Sequence, residues 1–193
     1  MAGVKQFLPH DAVAASMRVF WLKGYPSTSL SDLEEATGLN RSSLYATFGS
    51  KEDIFVACLS QYGDLCAKDA FEALQDPDIR QAIGGMLRVR AKKMTDPKMP
   101  NGCLFLSLVV DQEALPQNLK AAAKKVMREI EDHLYERLLR GQREGQISTE
   151  SDPRQLARFF LSIFHGMSAV STTDNDERTL NDIIDAALLV IPA

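Results

Sequence analysis

The sequence predicts an all-α protein of nine helices, and three observations predict it. Apolar residues recur at helical spacing along most of the 193-residue chain, the pattern of helices with one buried face. The eight prolines, Pro9, Pro26, Pro77, Pro97, Pro100, Pro116, Pro153 and Pro192, flank these stretches and interrupt none. Proline breaks a helix interior but suits its first turn, so they mark boundaries. Strand signals are nearly absent: no Asn-Gly turn sits between alternating runs, and 103–110 is the one plausible strand.

The first helix spans about 10–23, with Val13, Met17, Phe20 and Trp21 on one face and Gly24 ending it. The second spans about 32–37, opened by Ser31 and closed by Gly38. Ser31 and Glu34 have the spacing of a capping box, in which each satisfies a free backbone amide. The third spans about 41–47, opened by Asn40 and closed before Gly49. The fourth starts after Ser50, with a weaker capping box at Asp53. It reaches about Leu74, with Ile54, Phe55, Cys58, Leu59, Tyr62 and Leu65 inward.

The fifth helix spans about 78–94, with Ile79, Ile83, Met86, Leu87 and Met94 as its apolar face. A short sixth follows Gly102. The seventh, about 117–143, carries Leu119, Val126, Ile130, Leu134 and Leu138. The eighth and ninth span about 153–171 and 177–191. The domain boundary falls within the fourth helix, which makes that helix a shared rod.

Composition bounds the function. The net charge is −4, yet residues 1–51 hold five basic against four acidic residues and the remainder is acidic. Only the amino-terminal quarter is suited to approach a polyanion. The longest apolar run, Ala186–Ile191, is too short for a membrane span. Met1–Leu8 lacks a signal-peptide segment. Three cysteines, Cys58, Cys66 and Cys103, without export signals read as reduced and cytoplasmic. No phosphate-binding loop, metal-ligand spacing, cofactor motif or nucleophile–base pair supports an enzyme.

The two helices over 31–48 are too short to be stable alone. They need the first helix, which offers Phe20 and Trp21, and Gly38 permits the sharp turn of a helix-turn-helix. Leu33, Ala36, Leu39, Leu44 and Phe48 form the expected inner face. Arg41, Ser42, Ser43, Tyr45, Ala46 and Thr47 then form a small, polar, acid-free outer surface suited to a DNA major groove. Spacing alone equally allows a solvated three-helix unit.

The stretches Gly24-Tyr25, Thr28-Ser29-Leu30-Ser31-Asp32-Leu33 and Gly38-Leu39-Asn40-Arg41-Ser42-Ser43-Leu44-Tyr45-Ala46-Thr47-Phe48-Gly49-Ser50-Lys51-Glu52 resemble the DNA-binding domain of TetR-family transcriptional regulators. The match covers about residues 10–56, and its Leu-Tyr-x-x-Phe-x-Ser-Lys-Glu portion is specific. The resemblance implies a TetR-like fold with a DNA-binding domain over 1–52 and an effector-binding and dimerisation domain over 53–193. It implies a homodimer on a near-palindromic double-stranded DNA operator, usually a repressor released by a small-molecule effector, with no cofactor, metal or membrane.

By the same resemblance, Arg41, Ser42, Ser43 and Ala46 fall where the family touches bases. Tyr45, Lys51, Thr28 and Ser31 fall where it touches phosphates. Lys51 opposes the macrodipole of its own helix, a placement that favours an arriving phosphate. Two departures stand out. Gly3-Val4-Lys5-Gln6 has one lysine where many members carry a basic arm, and Glu34 replaces a common alanine, which the capping box would explain.

In the remainder, Phe159, Ile163, Phe164, Met167, Ile184 and Leu188 belong to broad apolar faces expected to form a four-helix dimer seam. The alternative is a core buried in one chain. Tyr62, Met86, Arg90, Cys103, Phe105, Val109 and His165 are the candidates for an effector pocket. His133, flanked by Glu129 and Glu136, reads as solvated. Cys103, placed in the first turn of the sixth helix, has two readings. It is either a redox or electrophile sensor, as in a subgroup the Gly-Cys pair resembles, or a buried packing residue. Cys58 and Cys66, about 12 Å apart along one helix, are beyond disulfide reach.

Overall fold

A computed structural model describes residues 8–110 and 112–191. The described residues form nine α-helices and no strand: α1 (Pro9–Lys23), α2 (Leu30–Thr37), α3 (Arg41–Phe48), α4 (Lys51–Ala73), α5 (Ile79–Met94), α6 (Leu104–Val110), α7 (Gln117–Arg143), α8 (Pro153–Val170) and α9 (Glu177–Ala187). Short 3₁₀ turns, Gln112–Ala114 and Leu188–Val190, follow α6 and α9. The plausible strand at 103–110 is therefore helical, and the ninth helix tightens into a 3₁₀ turn three residues before its expected end. The lone lysine of the amino-terminal arm, Lys5, lies outside the described residues.

The caps explain the boundaries and correct one of them. α2 opens at Ser29, not Ser31. The Asp32 backbone N–H donates to Ser29 Oγ, and the Ser29 N–H donates to the Asp32 carboxylate at 2.8 Å, closing a capping box two residues earlier than expected. The aspartate's shorter reach suffices here. Ser50 and Asp53 form the same box at the start of α4. Gly38 adopts φ 70°, the left-handed conformation that lets α2 stop and α3 turn away.

Two apolar clusters meet along α4. The first joins Phe20 of α1, Leu33 of α2, Leu44 of α3 and Ile54, Phe55 and Cys58 of α4 to Leu104 and Leu108 of α6 and Leu119 of α7. The second joins the end of α4 to α5, the rest of α7, α8 and α9 through Leu87, Leu134, Leu138, Phe160 and Ile184. Ala36 and Leu65, expected inside, are exposed. Each lies on a flank of its helix that none of the described residues buries. His133 is exposed, but its ring lies 4.0 Å from that of Phe71.

α1 is also tied to the loop before α6. Trp21 Nε1 donates to the Asn101 carbonyl at 3.2 Å, and Arg18 Nη1 donates to the Lys98 carbonyl at 2.9 Å.

At α2, Lys23 Nζ lies 2.6 Å from Asp32, and this bond with those from Ser29 holds the Asp32 carboxyl down to about 2, below its ordinary 3.8. A depressed carboxyl stabilises the fold above its unfolded value, and that contribution is lost as pH falls through the folded value. Asp32→Asn is expected to lower the melting temperature at neutral pH. The gap from wild type should narrow as pH falls from about 3.8 toward about 2 in circular-dichroism melts.

Candidate nucleic-acid interface and effector cavity

The recognition surface is built by burying one residue. Leu44 is enclosed in the core, so α3 lies with Arg41, Ser42, Tyr45, Ala46 and Thr47 exposed on its other side. Four of these are the base- and phosphate-contact candidates. Ser43 is half-buried, and its N–H donates to the Asn40 side chain at 2.9 Å, capping the helix. A second group holds the same end: the Arg41 N–H donates to Glu34 Oε1 at 2.6 Å. Glu34 thus caps α3 from α2 rather than closing a box within α2. Its replacement of alanine has a structural reason different from the one expected.

The phosphate-side candidates divide. Ser31 is exposed in the first turn of α2. Lys51 is half-buried at the start of α4, with Nζ 4.3 Å from the Tyr25 ring centre; burial holds its ammonium below the ordinary lysine value. Thr28 is corrected: it is 2% exposed, and its hydroxyl donates to the Gly24 carbonyl at 2.7 Å. Its side chain pins the α1–α2 turn and has no surface to offer a phosphate.

Behind the reader, a cavity of about 240 Å³ opens between α4, α5, α7 and α8, with the start of α6 as one wall. Five expected residues line it: Tyr62, Met86, Arg90, Cys103 and Phe105. The Val109 side chain lies outside the described residues. His165 does not line the cavity; it packs edge-on against Phe164, and burial, with the Arg90 charge, lowers its pKa. Sequence reasoning missed Cys66, Phe71 and Ile130. The signal for Cys66 was present, since residues 59, 62, 66 and 70 share one face of a helix.

The cavity wall is a connected polar group in apolar surroundings. Arg90, 3% exposed, donates from Nη2 to Tyr62 Oη at 2.8 Å and from Nη1 to Cys66 Sγ at 3.5 Å. Tyr62 Oη donates in turn to Cys103 Sγ at 3.4 Å. Burial pushes the Tyr62 phenol well above its ordinary pKa and keeps it protonated. It also raises the Cys66 thiol, against the pull of Arg90. Cys103 caps α6 from outside, its carbonyl accepting the Ser107 N–H, so the expected position within the first turn is corrected by one residue.

The expected seam residues also divide. Phe164, Met167, Ile184 and Leu188 are buried in the core of this chain, and Phe164 lines the cavity. They are corrected to core, because α8 and α9 turn these positions toward α5 and α7. Phe159 and Ile163 are half-buried at the edge of that core. Beside them Ser162, Gly166 and Ala169 of α8 and Ala186, Leu189 and Val190 of the last turns are exposed.

A glycine-turned helix pair on a third helix, one polar helix face outward and a helical body behind, defines a helix-turn-helix DNA-binding regulator. Residues 12–58 match the bacterial regulatory proteins of the tetR family, and residues 81–187 match the tetracyclin repressor-like C-terminal domain. The chain belongs to the TetR family of transcriptional regulators. It is 32% identical over 170 residues to the Escherichia coli transcriptional repressor ComR, covering 85% of this chain and 79% of ComR. It is 27% identical to the Bacillus subtilis regulator YezE, covering 97% of each. A solved structure of a cysteine mutant of the TetR-family regulator CifR, complexed with 26-base-pair double-strand operator DNA, superposes with a TM-score of 0.90 at 27% identity. That match covers 99% of this chain and 100% of CifR's. No helix among the described residues is long and apolar enough to cross a membrane.

Glu34→Ala removes a cap without touching the exposed face of α3. It is expected to cost about 1 kcal/mol of stability and to raise amide exchange at the start of α3, measured by hydrogen exchange.

Proposed function

We propose that the protein is a homodimeric repressor that leaves a near-palindromic operator when a small molecule enters the cavity behind the reader. The observation that carries this reading is Tyr62. It lines the cavity and also packs edge-on against Trp21 of α1, ring centres 4.8 Å apart. A ligand that moves Tyr62 therefore presses on the helix that supports α2 and α3. Residues 1–52 serve as the reader and 53–193 as the sensing and dimerising body, with α4 common to both.

The chemistry of release is geometric. Two copies of α3 must sit about 34–36 Å apart to enter successive major-groove turns. An effector that prefers a different tilt of α4 shifts that spacing and lowers DNA affinity by its differential binding to the two states. Arg41, Ser42, Ser43 and Ala46 meet base edges, while Tyr45, Lys51 and Ser31 meet phosphates. The named repressor ComR among the relatives supports repression as the output. The reduced thiols suit a cytoplasmic site of action.

The dimer uses the outer strip of α8 and α9, with Phe159 and Ile163 as its apolar part and Ser162, Gly166 and Ala169 allowing close helix approach. A side chain built at Gly166 would meet nothing in its own chain. A second reading keeps the same output but makes Cys103 the trigger. It is favoured by the Tyr62 hydroxyl aimed at Sγ from 3.4 Å at the cavity wall. In that case Cys103→Ser abolishes oxidant-driven release from DNA, whereas unchanged release dismisses it.

Selection of bound fragments from a random DNA pool is expected to return two half-sites in inverted repeat; absence of any enriched DNA at low salt overturns the reading. Against the selected site, Lys51→Ala should weaken binding about uniformly across sequences and reduce the salt slope by about one. Gly166→Glu places paired charges across the seam and is expected to give monomers in sedimentation with helix content unchanged.

A further inference from the structure

We propose that the cavity is an anion site: its effector carries a carboxylate that pairs with Arg90 on a compact apolar body. The proposal rests on the cavity being the effector site and names the class of molecule it takes.

The observation is an uncompensated buried charge. A guanidinium is charged at any working pH and has five N–H donors. Taking it out of water is expensive unless it is paired and hydrogen-bonded. Arg90 is almost fully enclosed, yet no ion pair among the described residues includes it. What it has are a neutral phenol, a thiol sulfur and a carbonyl at 3.4 Å, and its Nε has no partner at all. The Phe164 ring lies 5.3 Å from its guanidinium carbon. Pure packing at this position would be met at lower cost by a methionine or leucine.

The space beside it fits the missing partner. Arginine's fork matches a carboxylate in a two-point pair. The remaining wall is apolar, with Met86, Phe105, Phe71 and Ile130, so it selects a hydrocarbon or aromatic body over a second charged group. Glu129 also lines the cavity, but it is exposed and its carboxylate lies 3.7 Å from Lys125 on the preceding turn. An arriving carboxylate would compete with Tyr62 and Gly102 for the Arg90 donors. Those two groups lead to Trp21 and to the Asn101 loop that α1 holds.

The test compares acids with their neutral isosteres on the full chain: benzoate against benzamide, and isovalerate against isovaleramide, by calorimetric titration and thermal shift. The acid of at least one pair is expected to bind about tenfold or more tightly than its amide, as a charge-assisted bond provides. Arg90→Met should erase that preference, the acid losing more affinity than its amide. Acid and amide binding alike to wild type, or neither acid binding, overturns the proposal. The wild-type comparison stands even where Arg90→Met does not fold. Release from the selected DNA is read in parallel by fluorescence anisotropy. Tight acid binding without release upholds the anion site and overturns the effector reading. Release by amides as readily as by acids does the reverse.

Discussion

Tyr62 is the contact on which the rest of the structure turns. It is a single side chain near the middle of α4, enclosed on every side, and it meets four different parts of the molecule. Its ring packs edge-on against Trp21 of α1 and Phe105 of α6, 4.8 and 5.1 Å between centres. Its hydroxyl accepts from Arg90 of α5 and donates to Cys103 ahead of α6. A buried phenol must satisfy its oxygen or lose the energy of doing so. That requirement locks the reader, the cavity wall and the α6 loop into one arrangement.

The reader depends on this lock because it is too small to stand alone. α2 and α3 have eight residues each and bury one leucine apiece completely, Leu33 and Leu44. Their orientation comes from α1 and α4, and from two caps that cross between elements: Asp32 with Ser29 and Lys23, and Glu34 with the Arg41 amide. Because the first apolar cluster also includes α6 and the start of α7, the reader's core is partly made of residues from the carboxy-terminal body. A shift of that wall is felt where α3 is seated, with no need for a separate relay.

Much of this was legible along the chain. Prolines and caps located the helices to within a residue or two, apart from the end of α9, since local backbone chemistry decides where a helix starts and stops. The outward face of α3 followed from its composition, and the family from the motif over 38–52. The cap of α2 was misplaced because two serines, Ser29 and Ser31, each precede an acidic residue three positions on, and only the folded turn distinguishes them. Thr28 resembled a phosphate contact, but the α1–α2 turn claims its hydroxyl.

The seam and the cavity were less legible, for a reason that periodicity cannot remove. An apolar stripe records that a face is buried, not what buries it. Phe164, Met167, Ile184 and Leu188 fit an intersubunit seam and a single-chain core equally well until α5 and α7 were seen to cover them. The sequence by itself determined the number and order of the helices, most of their caps, and a polar recognition helix on an otherwise acidic chain. All of these depend on neighbours close in sequence. Tertiary structure alone decided that Arg90 is buried without a carboxylate beside Tyr62, Cys66 and Cys103, since those four come from three separate segments and meet only when the chain closes on itself.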